Sequence, residues 1–370
     1  MPVIIDGTNG ITQADQFNSD STFGFKNRII NGAMTIDQRN AGASVAMGTG
    51  GDYFLTDRFQ SSASQNSKIT AQQNAGSVTP PVGFSNYLGF TSQSAYAITS
   101  SDYFFFKQNI EGFNFSDCGF GTASAKTITL SFQIYSSLTG TFGGALRNSA
   151  GNRVYPFSYA ISTANTWTSI SITIAGDTTG TWIGATNGNG VSVVFGLGVG
   201  STLSGTAGAW GTSGYSATGA TSVVGTNGAT FYITGVQLEV GSTATSFDYR
   251  PFGTELILAQ RYFETTYPIG TAVGTASSDA SAPVAYSMGD SSAVTQQIIW
   301  MYKVKKRSAP DVTVYNPSTG ASGSARYAAS LNINFTAAGS RVDQATFGSA
   351  TVGMAINNTF SYYLTASSEL

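Results

Sequence analysis

The side chains available for chemistry in this chain are few. There is no histidine among the 370 residues, which excludes His-based acid–base catalysis, serine triads and His-ligated zinc. The single cysteine, Cys118, rules out an intrachain disulfide or a Cys-based zinc cluster and reads as a small buried residue. Carboxylates remain. Asp52 with Asp57, or Asp102 with Glu111 and Asp117, would suit cleavage of a glycosidic bond if the fold held a pair about 5 to 9 Å apart. With 19 acids in the chain, such spacings also arise by chance.

Binding asks for less. A pyranose presents an apolar face to a flat aromatic ring, and amides or hydroxyls satisfy its rim. Trp182, Trp210 and Tyr215 lie in turn-rich segments with Asn187 and Asn189 nearby, and these five are the glycan-binding candidates. Trp167 begins an alternating stretch and reads as core. In the last third, Tyr315, Tyr327, Tyr362 and Tyr363 suit a distal receptor-binding tip or a subunit interface. "GLGVGS" from Gly196 mimics a phosphate loop, but no helix follows it, so strand packing is the better account. "KVKKR" at Lys303 to Arg307 would place Lys303, Lys305 and Arg307 on one solvated strand face. With 17 basic and 19 acidic residues the net charge is −2, so no global field draws in a phosphate backbone, and nucleic acid is not an expected partner. No cofactor or metal is expected either.

The elements that must position these residues are mostly strands. Period-two alternation recurs: Ile128, Leu130, Phe132 and Ile134 share one face of "TITLSFQIY", Ile170, Ile172 and Ile174 one face of "WTSISITIAG", and Val191, Val193, Phe195, Leu197 and Val199 one face of "VSVVFGLGVG". In "FYITGVQLEV" the alternation breaks at Gly235 and resumes in shifted register, which predicts a glycine bulge. Strands that bury one face belong to an antiparallel sandwich. Between them, "GSTLSGTAGAWGTSGYSATGATSVVGTNGA" supplies glycine for tight turns, and its Trp210 and Tyr215 argue for an ordered loop over a disordered one. "GTELILAQRYFETTY" is the one helix, with Thr254 as cap and Glu255 at the positive end of the dipole. The organisation expected is an anchor segment at 1–26, a jelly-roll β-sandwich at 27–252, a connecting helix at 253–267 and a second, smaller β-sandwich at 268–370. The fold class is all-β.

Charged residues make up only 10% of the chain, about a quarter being ordinary. Neutral polar groups must cover the surface, which suits a virion or extracellular protein whose subunits pack closely. "MPVIIDGTNG" lacks the pattern of a secretory signal, and no apolar run is long enough to cross a bilayer. If the protein works outside a cell, release inside an assembled virus particle would account for both.

"NRIINGAMTIDQRN" at Asn27 to Asn40, "YFLTDRF" at Tyr53, "FYITGVQLEVGSTATSFDYRPFGTELILAQRYFETTY" and the closing "SYYLTASSEL" together resemble a family of tailed-phage virion proteins regarded as tail-fibre or receptor-binding proteins. The Asn27 to Arg250 portion of that family is similar to the jelly roll of carbohydrate-binding modules, in which an "NG" segment opens the first strand and a final "FYIDDV"-type strand closes the fold beside it. The resemblance implies a structural polar cluster where first and last segments meet: Asp37, Arg39, Asp57 and Arg58, with Glu239, Asp248 and Arg250 as partners. Many such modules hold a structural calcium with an aspartate where this chain has Thr234 and Gly235, so no metal is expected there. The function implied is a homotrimeric fibre or spike on the surface of a virion assembled in the host cytoplasm. It would contact other virion proteins through residues 1–26 and bind host-surface polysaccharide without cleaving it. A capsid decoration or tail-structural protein is the alternative, and a glycan depolymerase the third.

Overall fold

The computed structural model describes residues 4–6, 10–13, 26–277, 282–286, 293–327, 331–334, 336–340, 345–353 and 359–370. The expected anchor at 1–26 falls mostly outside them. Its described part is a short antiparallel pair, β1 (Ile4–Asp6) with β2 (Gly10–Gln13).

Twelve strands build the large sandwich: β3 (Val45–Ala46), β4 (Tyr53–Phe54), β5 (Gln60–Ala63), β6 (Ile69–Gln73), β7 (Leu88–Ser92), β8 (Tyr103–Glu111), β9 (Ile128–Ser136), β10 (Gly140–Arg147), β11 (Val154–Ile161), β12 (Thr168–Ile174), β13 (Asn189–Val199) and, after the short parallel pair β14 (Ser204–Gly205) and β15 (Ser216–Ala217), β16 (Thr230–Val240). One six-stranded sheet runs β11-β10-β13-β8-β5-β4 and the other β12-β9-β16-β7-β6-β3. Alternation decides what faces inward. Phe104, Phe106, Val193, Phe195 and Leu197 from the first sheet meet Leu130, Phe132, Ile134, Phe231 and Ile233 from the second, all within one buried core. Phe106 stacks on Phe195 at 4.9 Å and on Phe90 at 4.5 Å. Each such buried ring contributes about 1.5–3 kcal/mol. Gly235 has φ +62°, and the β16–β9 register shifts between Thr234 and Gln237, which is the bulge expected there.

Asn27 and Asn31, in the segment that leads into the large sandwich, make the contacts a regular first strand would make. Asn27 donates through Nδ2 to the Val236 carbonyl at 3.1 Å and accepts from the Leu238 amide at 3.1 Å. Asn31, fully buried with φ +61°, donates to the carbonyls of Ile36 (2.8 Å) and Asp57 (2.9 Å) and accepts from the Ile36 amide (2.9 Å). A Cβ at Gly32 would lie 2.1 Å from the Val236 carbonyl oxygen, so glycine is required where the first segment crosses the bulge of the last strand.

The single α-helix among the described residues, α1, is shorter than expected and differently begun. It spans Phe252–Gln260 behind Pro251, and no side chain caps it. Thr254 therefore lies within the helix, and the Glu255 carboxylate accepts the Asn31 amide while pairing with Arg250 at 3.4 Å. Beyond the helix, β17 (Phe263–Thr265) pairs with a late strand instead of continuing as helix. Its aromatic and β-branched residues favour strand, and the partner lies about a hundred residues away, beyond the reach of local propensity.

The smaller β-sandwich contains β17, β18 (Val284–Tyr286), β19 (Ala293–Met301), β20 (Asp311–Tyr315), β21 (Ser324–Tyr327), β22 (Leu331–Asn334), β23 (Thr336–Ser340), β24 (Ala345–Gly353), β25 (Thr359–Ser361) and β26 (Tyr363–Ser367). They form sheets β17-β26-β20, β18-β25-β21-β22 and β19-β24-β23. Tyr327, Tyr362 and Tyr363 are buried here, with Tyr315 packed against Tyr267. They pack into this core instead of forming an exposed tip. The "KVKKR" segment is also not a strand. Lys303 and Lys305 are exposed, but Lys306 is fully buried, where it donates to Glu264 at 2.7 Å.

Candidate functional site

The seven residues of the expected polar cluster fall into separate networks. Arg39 and Arg58 both bind the carboxylate of Glu369, Arg39 at 3.1 Å, and not Glu239 or Asp248. Arg58 also donates to the Asn109 carbonyl at 2.6 Å and lies 3.5 Å over the Tyr262 ring, while Arg39 lies 3.6 Å over Phe263. Asp57 accepts from the Gln38 backbone amide at 2.9 Å and from the Gln38 side chain, which in turn donates to the Phe263 carbonyl. Burial pushes the Asp57 carboxyl up to about 6, against the pull of Arg39. Asp37 caps a turn through the amides of Asn40 and Gly42, and burial raises it too.

Arg250 is anchored elsewhere, between Asp248 and Glu255 at 3.4 Å each and on the Ile29 carbonyl. Glu239 closes a local turn with Thr245, through its amide at 2.9 Å and hydroxyl at 2.7 Å. The cluster around Arg58 thus joins the large sandwich to the final residues of the small one. Glu369, Gln38, Glu111 and Arg261 belong to it; sequence reasoning named only Glu111, as a candidate acid, and missed the other three. The only available clue was that a buried arginine needs a carboxylate.

The candidate catalytic acids all hold structural partners. Asp102 accepts from Ser64, Tyr96 and both the amide and hydroxyl of Thr99. Burial alone would raise it, but these hydrogen bonds outweigh burial and hold it at about 2. Glu111 takes Arg261 at 2.5 and 2.8 Å and the Tyr262 hydroxyl at 2.7 Å; against its burial, these partners lower it. Asp117 forms two bonds with Arg28, Asp52 pairs with Lys107 at 3.1 Å, and Asp57 is bound as described.

The five glycan candidates separate into three places. Asn187 exchanges hydrogen bonds with the backbone and guanidinium of Arg307 at 2.9 Å each, so it serves the contact between the sandwiches. Asn189 donates to Ser192 at 2.9 Å on the outer face of the first sheet. Tyr215 lies on that same face, stacked on Phe105 at 4.5 Å with the Arg147 guanidinium 4.0 Å from its ring centre.

Trp182 and Trp210 come together. Their rings meet edge to face at 5.6 Å, and both touch Phe120. The Trp182 indole donates to Asp177, which Arg153 also holds, and the Trp210 indole donates to the Ala175 carbonyl at 2.9 Å. Trp167, expected in the core, is instead half-buried on the outer side of the second sheet, against Tyr87 and Tyr135.

The Gly-rich loop is ordered against the first sheet. Gly211 exchanges backbone hydrogen bonds with Val154 at 2.7 and 3.0 Å, extending the sheet beyond β11, and Gly208 donates to the Pro156 carbonyl. Ser216 then crosses the sheet at Gly143 and Gly196, where a Cβ would come within 2.6 and 2.8 Å of its hydroxyl oxygen. Where the loop leaves the sheet edge it borders an open hollow of about 310 Å³ lined by Pro156, Thr206, Ala209, Trp210, Thr212 and Ser213, with glycine backbone between them. That is the lower end of ligand-pocket size, about 300–1,000 Å³. The lining carries one indole, three hydroxyls and no charge. A second cleft, between Ile36, Gln38, Phe252 and Ile269, offers only about 80 Å³.

No family model matches this chain, and no curated protein matches it. Similar solved structures include the enzymatically active domain of bacteriophage CBA120 tailspike protein 4 (14% identity, TM-score 0.30, 58% of this chain), a family 11 carbohydrate-binding module from Clostridium thermocellum in complex with a β-1,3-1,4-mixed-linked tetrasaccharide (13%, 0.29, 55% of this chain and 98% of that one), and TmCBM61 in complex with β-1,4-galactotriose (9%, 0.27, 50% and 88%). The chain spans 21% of the tailspike structure's length. With TM-scores of 0.27 to 0.30, none of them decides what this chain binds.

Proposed function

We propose that the protein is a non-catalytic glycan-binding adhesin, a fibre or spike of a phage virion that attaches to host-surface polysaccharide. The observation that carries this is the uncharged hollow at Trp210: an aromatic ring beside Thr206, Thr212 and Ser213 on a loop ordered by the sheet edge. That combination suits the apolar face and hydroxyl rim of a sugar. The non-catalytic reading is supported by the acids, since Asp52, Asp57, Asp102, Glu111 and Asp117 are each engaged by a cation, an amide or a hydroxyl. In the same reading the chain is a homotrimer, exposed on the particle surface, and residues 1–26 dock on other virion proteins.

The test applies purified protein to host cells and to isolated surface polysaccharide. Cell labelling that blocks infection, together with polysaccharide binding lost in Trp210→Ala, supports the adhesin. Release of reducing ends would establish a depolymerase instead. Co-purification with particles in the absence of any cell or glycan binding would establish a decoration or tail-structural protein.

A further inference from the structure

Nine of the ten arginines lie among the described residues, and eight of those nine bond oxygen. Arg28, Arg39, Arg58, Arg153, Arg250 and Arg261 meet carboxylates. Arg307 meets the carbonyls of Ser368 and Glu369, and Arg326 the hydroxyl of Ser318. The ninth is Arg147. Its guanidinium contacts the Tyr215 ring, and its buried Nε has no hydrogen-bond partner. In a chain that pairs its other described arginines with oxygen, one left unmatched on a sheet face points to an oxygen ligand that the protein does not itself supply.

Its position relates it to the hollow. Arg147 pairs with Val154 in the β10–β11 register, and Val154 pairs with Gly211, next to Trp210. Pro156, which lines the hollow, is two residues along β11 from Val154 and so shares the face on which Arg147 stands. Arg147 and Pro156 thus stand on neighbouring strands about 4.8 Å apart, offset by two residues along them. Tyr215 lies two residues beyond Ser213 of its lining and connects the two places, with the cation over its ring. Serine, threonine and indole in the hollow are neutral, so any preference for charge must come from this neighbour.

We propose that the site takes an acidic glycan, with a sugar ring against Trp210 and an anionic group, the carboxylate of a uronate or a sulfate or phosphate ester, on the guanidinium of Arg147. This rests on the Trp210 hollow being the glycan site. Arg147 then determines specificity, because a planar fork recognises such groups with two parallel hydrogen bonds.

The experiment is a glycan array carrying neutral, uronate-containing, sulfated and phosphorylated oligosaccharides, read with the full chain and with Arg147→Gln, Arg147→Lys and Trp210→Ala. Unfolding midpoints are measured alongside to confirm that each variant folds. The expected result is binding confined to acidic glycans, roughly ten- to hundredfold weaker in Arg147→Gln, partly restored in Arg147→Lys and lost in Trp210→Ala. Which of the three anions is retained identifies the ester or the carboxylate. Neutral glycans bound best, unchanged in Arg147→Gln but lost in Trp210→Ala, would overturn this inference and leave the adhesin intact. Equal loss of neutral and acidic ligands in Arg147→Gln would reduce Arg147 to a support for Tyr215, and acidic binding that survives Trp210→Ala would separate the two places; either result overturns it. No binding by the folded wild-type protein would overturn both readings.

Discussion

A chain without histidine should have a nearly flat stability profile between pH 5 and 8, since histidine is the side chain that ordinarily titrates there. Asp57 should break that rule. It is 1% exposed, and burial, the largest influence on it, raises its carboxyl from 3.8 to about 6 despite the Arg39 charge and the Gln38 hydrogen bonds; Glu369 adds to the rise. A folded-state value above the unfolded one means the folded protein holds the proton more tightly. The stabilisation is then complete below about pH 3.8 and lost as pH rises through about 6. A rise from 3.8 to about 6 corresponds to about 3 kcal/mol in all. Of this, about 2 kcal/mol should disappear between pH 4.5 and 7.

That window avoids the acids that work in the opposite sense. Asp102, Glu111 and Asp177 are held below their ordinary values, so their contributions fade as pH falls below 3.8 for the two aspartates and below 4.5 for Glu111. Urea denaturation followed by tryptophan fluorescence at half-unit steps from pH 4.5 to 7.5 reads the slope, because urea leaves charge interactions unscreened. Asp57→Asn keeps an acceptor for the Gln38 backbone amide and should remove most of the slope, leaving the part that Asp37, also raised by burial, contributes in the same sense. A wild-type profile that is flat or rising across the window, or a slope undiminished in Asp57→Asn, would refute the reasoning.

Three further outcomes follow from the packing. Glu264→Gln should cost about 3–5 kcal/mol in denaturant unfolding, because it leaves the fully buried Lys306 charge without its counter-ion; adding Lys306→Met should recover most of that loss. Gly235→Ala should cost about 1–3 kcal/mol, since alanine is disfavoured at φ +62° and its Cβ would sit 2.6 Å from the Phe84 ring. Cys118 is fully buried, and burial pushes its thiol up to about 12, so a thiol reagent at pH 8 should label it only at the rate of unfolding, and rapid labelling of folded protein would contradict that placement.

The strands were legible because alternation is a local signal that each segment carries alone. Ile128 to Ile134 and Phe231 to Ile233 face the core as their spacing requires, and Gly235 marks its bulge by interrupting the pattern. The helix end was less legible: Tyr262 to Thr265 is compatible with either structure, and pairing with β26 selected the strand. The aromatic candidates could be named, but neither the meeting of Trp182 with Trp210 nor the diversion of Asn187 to Arg307 could be read from their neighbours in the chain.

By itself, then, the sequence determined the all-β class, the inward faces, the glycine bulge and the absence of histidine chemistry, all of which depend on residue type and short-range order. Tertiary structure alone decided that Arg39 and Arg58 share Glu369, that Lys306 is buried on Glu264, and that the Arg147 guanidinium meets the Tyr215 ring with no oxygen partner at its buried Nε. The physical reason is separation: Glu369 lies 330 and 311 positions from its two arginines. A charge can be seen to need a partner from its burial, but which partner it meets is set by sheet register and loop path.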